Sequence, residues 1–106
     1  MSWKLFIDDI RNPVTDDWVI CRSSREAKIK VNKLGFPNEI AFDHDLGGDD
    51  TVMNFIYWLE GQLVDGNLTI PRDFTYSVHS SNPVGALNIR AEMTHMIFHF
   101  GPENDS

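Results

Sequence analysis

The sequence predicts one small α/β domain, a three-layer sandwich on a mainly parallel four-stranded sheet. Three observations predict it. Four short β-rich apolar runs alternate with stretches of helical periodicity. Acidic or polar clusters follow three of those runs directly, at residues 8–9, 43–45 and 79–82, and open α/β sheets gather ligands beyond the carboxyl ends of their strands. The length of 106 residues, with 42% hydrophobic and 24% charged residues, suits a single domain that buries a core without disulfides or a structural metal.

The elements follow in order. Residues 4–7 form a short apolar strand closed by Asp8 and Asp9, and "IRNPVTDD" then breaks regular structure through Asn12, Pro13 and the acids. Residues 18–21 read as a second strand. Ser23 or Ser24 can cap the first helix, Glu26 lies in its first turn, and Ala27, Val31 and Leu34 recur at helical spacing before Gly35 and Pro37 stop it. Residues 39–43 form the third strand. Asp49 or Asp50 can cap a second helix whose stripe is Val52, Phe55, Ile56, Leu59 and Leu63, with Gly66 as its terminator. Residues 74–78 alternate as a fourth strand ending at "HSSNP". Asn82 before Pro83 is a helix start, because asparagine caps and proline at the first helical position gives up no needed donor. The last helix runs from about residue 83 to near residue 99, followed by the polar tail "GPENDS".

Composition excludes several classes. A net charge of −7 argues against an extended nucleic-acid surface, since nonspecific affinity there comes from many Lys and Arg on phosphates. A small phosphate ligand remains compatible with an acidic site if a divalent metal supplies the positive charge. No apolar run approaches bilayer length, so no membrane is expected. "MSWKLFIDD" offers neither a basic leader nor a small-residue cleavage site, and the one cysteine, Cys21, cannot form an internal disulfide; both point to the cytoplasm.

Strands of parallel direction would bring all three clusters to one edge. Mg²⁺ takes one or two carboxylates, keeps waters, and completes its shell with phosphate oxygens, so Asp8 and Asp9 facing Asp43 and Asp45 suit that ion. Ser80 and Ser81 can donate to phosphate oxygens, and the amides opening the helix after Asn82 add an anion-binding end. His79, beside Ser80 and near Asp43, can act as a general acid or base, or simply anchor a loop. His44 falls by alternation on the face opposite Asp43 and Asp45.

Each feature also has a plainer reading. Asp8 and Asp9 can be a solvated turn, and Asp49 or Asp50 a helix cap. Two acidic strand ends on one edge favour a site. His95 and His99 have the i,i+4 spacing of zinc ligands but lack the intervening glutamate of zinc peptidases, and read as surface or helix-end groups. Cys21 reads as a small buried apolar residue, and the tryptophans and Tyr57 as core or core-edge groups.

The stretches "KLFIDDIRNP", "WVICRSSREA", "FDHDLGGDDT" and "VHSSNPVGALNI" span most of the chain, in order, and together resemble the cyclic-phosphate-processing receiver domains. The resemblance implies a reduced receiver, or flavodoxin-like, fold. It implies a metal-binding pair at Asp8 and Asp9, a phosphoacceptor or metal ligand at Asp43, and a phosphate-contacting hydroxyl at Ser80, with Ser81. Three departures stand out. Residues 10–17 are too few for the helix that joins the first two receiver strands, which leaves the direction of the second strand open. The chain ends after the helix that follows the fourth strand. Every lysine precedes Asp43, so His79, Arg11 or Arg22 must supply the positive charge that the receiver lysine gives.

The leading expectation is a Mg²⁺-dependent phosphoesterase or phosphate-processing domain acting on cyclic phosphates of RNA ends or nucleotides. In it Asp43, His79 and Ser80 carry the chemistry and Arg11, Ser80, Ser81 and Asn82 hold phosphate. The alternatives are a noncatalytic acidic binder, such as a phage or mobile-element factor that sequesters a nucleotide or occupies a host protein's basic surface, and a pseudo-receiver that mediates oligomerisation.

Overall fold

The computed structural model describes residues 2–102; Met1 and residues 103–106, the last four positions of the polar tail, lie outside the described residues. The elements run β1 (Lys4–Ile7), β2 (Val19–Cys21), α1 (Ser24–Leu34), β3 (Glu39–Phe42), α2 (Val52–Val64), β4 (Thr75–Val78) and α3 (Pro83–Phe100). The strands form one sheet in the order β2-β1-β3-β4, and every pairing is parallel. The second strand is therefore parallel to the first, although residues 8–18 return the chain without a helix.

Alternation along the strands assigns the two faces. Leu5, Ile7, Cys21, Ile40 and Phe42 join one core cluster with Ala27 and Val31 of α1, the apolar stripe of α2, and Ile89, Met93 and Met96 of α3. All five stripe residues of α2 are buried, and each such side chain is worth about 1.5–3 kcal/mol of burial. Phe6, Ala41 and Ser77 point to the other face. Among the described residues no helix packs there, and the loop at residues 11–15 with Trp18 borders that face.

Local chemistry explains the ends of the helices. Ser23 caps α1 by accepting from the Glu26 amide. Asn82 caps α3 by accepting from the Gly85 amide, with Pro83 at the first position. The cap of α2 is Thr51, without a side-chain bond, rather than Asp49 or Asp50. Asp50 is used elsewhere: its carboxylate accepts from the Ser24 amide at 2.9 Å, the Ser24 hydroxyl at 2.6 Å and Asn54 Nδ2 at 3.1 Å. A charge thus sits on the positive end of α1 and ties the loop before α2 to it.

Two core assignments differ from expectation. Leu34 closes α1 and is 44% exposed, and Phe36, just past the positive-φ Gly35, fills the core there. Tyr57 is 55% exposed because two helical steps, about 200° on the wheel, separate it from both the buried Phe55 and the buried Leu59, so it faces away from the sheet. Trp3 and Trp58 do pack on the core, and Cys21 is buried there, its thiol pushed up to about 11 by that burial. Among the described residues no helix is long and apolar enough to cross a membrane.

Two tests follow from this packing. A Cβ built on Gly85 would collide with the ring of His44, so Gly85→Ala should cost about 1–3 kcal/mol, whereas an Ala in place of an unencumbered helical Gly stabilises. Pairing it with His44→Ala should restore most of the loss in chemical denaturation. The second concerns acid. Burial pushes the Asp50 carboxyl up, but the bonds from Ser24 and Asn54 outweigh it and hold it below its ordinary 3.8. Its stabilisation is therefore complete above that value and disappears as pH falls through the lower, folded one. Thermal denaturation from pH 7 to pH 2 should show a steeper acid loss in the wild type than in Asp50→Asn.

Candidate metal centre

The strand ladder extends one residue past each of three strands. The Asp8 amide donates to Cys21 O at 3.1 Å, the Asp43 amide to Ile7 O at 2.9 Å, and the His79 amide to Phe42 O at 2.9 Å. Asp8, Asp43 and His79 consequently stand at one level on the carboxyl edge of the sheet. Asp9 completes the group: one carboxylate oxygen from each of Asp8, Asp9 and Asp43 lies within 4.8 Å of the others.

Asp8 is fully buried, at 0% exposure. Its Oδ1 accepts from the amides of Ile10 at 3.0 Å and Arg11 at 2.8 Å, and its Oδ2 meets His79 Nε2 at 3.0 Å. Desolvation pushes this carboxyl up, yet the two amides and the imidazole outweigh it and hold it below its ordinary value. Asp43, at 8% exposure, is pushed the other way, by burial and then by the charge of Asp8. Two neighbouring carboxylates thus have opposite tendencies, because two amides and an imidazole prevail at Asp8 while burial and the Asp8 charge prevail at Asp43.

The turn after Asp43 is shaped to reach Asp9. Gly47 and Gly48 take φ of +89° and +57°, and a Cβ on Gly47 would lie 3.6 Å from Asp9 Oδ2. Those backbone angles need glycine, and the buried Leu46 anchors the same turn in the core. Arg22 holds the other loop: its guanidinium donates to the carbonyls of Asp8 and Arg11 and to Asn12 Oδ1. Arg11 lies across the edge, with Nη1 donating to His79 O at 2.6 Å and Nε 4.0 Å from Asp8 Oδ2. Of the cations expected to replace the receiver lysine, His79 and Arg11 meet the Asp8 carboxylate, and Arg22 meets main chain.

Asp45 is not brought into the group. It is bridged to His44 Nδ1 at 2.8 Å and approached by Asn82 Nδ2 at 3.4 Å, and its side chain is 64% exposed. His44 takes the face opposite Asp43 and packs beneath Gly85 of α3. Ser80 lies next to His79, with its Oγ accepting from the Asn82 amide at 3.0 Å, so its hydroxyl proton is left to donate. Ser81 is exposed at the same edge, and Asn82 Oδ1 is occupied in capping α3. His95 and His99 pack ring to ring at 4.4 Å far along α3, with His95 Nε2 3.4 Å from Glu60.

Two features escaped sequence reasoning. The role of Gly85 as the seat of His44 has no local signal, since the two are 41 positions apart (85 minus 44). The stacking of His79 on Phe6, at 4.9 Å and 12° between planes, was foreshadowed only by the even spacing that sends Phe6 and Asp8 to the same side of β1.

A parallel α/β sheet with an acidic pair after β1, an aspartate after β3 and a hydroxyl after β4 defines a receiver-like domain. The family model for the cyclic-phosphate processing receiver domain matches residues 3–95, and the chain belongs to that family. No curated protein and no solved structure matches the chain.

The donor set fits a hard divalent cation: three carboxylates, two of them buried, with the charge of Asp8 acting directly on Asp43. Removing that repulsion should show in the metal-free protein. In chelator, Asp43→Asn is expected to melt a few degrees higher than wild type, the scale of about 1 kcal/mol in a domain of this size. Adding a divalent metal should raise the wild-type melting temperature and leave the variant unchanged. A wild type that is indifferent to divalent metals would contradict the assignment.

Proposed function

We propose that the domain processes cyclic phosphates in a divalent-metal-dependent way, with Mg²⁺ as its ion and Asp8, Asp9 and Asp43 as the protein ligands. The observation that carries this reading is the convergence of carboxylates from two strand ends within 4.8 Å, beside an imidazole fixed by one of them. When bound, the metal supplies a Lewis acid that polarises a phosphoryl oxygen and offsets the charge on the phosphate.

The remaining work falls to side chains of this chain. Asp8 Oδ2 holds His79 through Nε2, and Phe6 holds the ring from below, which leaves Nδ1 for proton exchange. In opening a cyclic phosphodiester, water adds to phosphorus, one ring P–O bond breaks, and His79 carries the proton from the water to the freed oxygen. Ser80 donates its hydroxyl proton to a nonbridging oxygen, with Ser81 and the first amides of α3 on the same side. Arg11, held at the His79 carbonyl, contributes positive charge where the phosphate enters.

The test is a panel of cyclic phosphodiesters and phosphomonoesters assayed with Mg²⁺ and with chelator, alongside calorimetric titration of Mg²⁺. Turnover is expected in Mg²⁺ only, with Asp43→Ala abolishing metal binding and activity together and His79→Ala lowering the rate by roughly 10²-fold or more while metal still binds. Absence of both Mg²⁺ binding and turnover across the panel would refute the proposal.

A further inference from the structure

Because residues 8–18 return the chain without a helix, the face of the sheet away from the core carries an open groove of about 380 Å³. That volume lies in the range of small-molecule sites, which run from about 300 to 1,000 Å³. Its floor is one row of the parallel ladder, since Phe6 pairs with Ala41 and Ala41 with Ser77. Two small side chains beside a ring leave room for a flat group. Trp18 closes one side, set edge-on to Phe6 at 5.9 Å.

The groove is continuous with the metal centre. Arg11 and His79 line it, and both contact Asp8. His79 stacks on Phe6 with one face of its ring while its Nε2 meets the carboxylate, so a single imidazole forms the boundary between apolar groove and acidic edge. Ala41 of β3 and Asp43, which continues its ladder, are two residues apart, which at strand rise is about 6.6 Å, close to the span of one ribose. A ligand held at both ends needs a phosphate, a spacer of that length and a planar apolar ring.

We propose that this groove is a nucleobase subsite and that the ligand is a free mononucleoside phosphate: its phosphate lies at the carboxyl edge and its base over Ala41 and Ser77 against Phe6 and Trp18. Aromatic walls favour a base of any sequence, because every base presents a π-face. The net charge of −7 and a groove sized for one base disfavour a longer polyanion. This inference rests on the proposed phosphate-processing site and adds to it the class of ligand and the residues that select it.

The test is calorimetry on the whole chain in Mg²⁺ with three ligands: adenosine 3′-monophosphate, the base-free methyl riboside 3′-monophosphate, and a short single-stranded RNA ending in the same phosphate. The nucleotide should bind at least tenfold tighter than the base-free compound, and the RNA no tighter than the nucleotide. Ser77→Leu, at an exposed position on an edge strand, fills the groove without touching the core. It should erase the tenfold preference while leaving Mg²⁺ and base-free binding intact, and Trp18→Ala should weaken the nucleotide alone. Equal binding of the nucleotide and the base-free ligand, or a preference that survives Ser77→Leu, overturns the subsite and leaves the metal-dependent function standing. RNA binding tenfold tighter than the nucleotide overturns the assignment to a free nucleotide. Failure of all three ligands and of Mg²⁺ itself removes the function and the subsite together.

Discussion

The centre of this molecule is a repulsion held in place by a ladder of backbone bonds. Each of three strand ends continues its parallel pairing by one residue, and that extra bond delivers Asp8, Asp43 and His79 to the same height. Left to themselves, carboxylates this close would separate or take up protons. The parallel register prevents separation, because moving Asp43 away from Asp8 means breaking the bond from its amide to Ile7. Charge that cannot relax by motion is open to a counter-charge, and the oxygen-only donor set fits a hard divalent cation.

The surrounding loops maintain the unequal treatment of the two buried acids. Asp8 receives two amides and an imidazole, the number of bonds that keeps a buried carboxylate ionised. Asp43 Oδ1 accepts from the amide of the next residue, His44. Arg22 keeps the first loop in shape by bonding to its carbonyls, and Asp50 secures the second by grasping the start of α1. Neither residue belongs to the acidic trio, yet both determine where its members can stand.

The short connection between β1 and β2 has two consequences that belong together. It brings Arg11 across the sheet edge to the carbonyl of His79, with its Nε 4.0 Å from Asp8 Oδ2. It also leaves one face of the sheet without a covering helix among the described residues, so Phe6, Ala41 and Ser77 line a groove. A guanidinium at the sheet edge and an open apolar floor thus arise from the same eleven-residue segment, residues 8–18.

Most of the chassis was legible in the chain itself. Apolar patterning marked the four strands and the first two helices, because an apolar stripe such as Val52, Phe55, Ile56, Leu59 and Leu63 has only one helical solution that buries it. Asn82 and Pro83 announced the start of α3, and the acids after β1 and β3 announced the edge where they meet, since these are local rules of capping and strand termination. Five things were decided only in three dimensions. Asp45 was diverted to His44 and Asn82, and Asp50 left its cap to bind Ser24, because a carboxylate bonds to whichever donors folding brings nearest. Gly85 of α3 became constrained by the His44 ring, which reaches it from the turn after β3. The direction of β2 and the open face beside it followed from how the loop crosses the sheet, and no local pattern encodes a path through space.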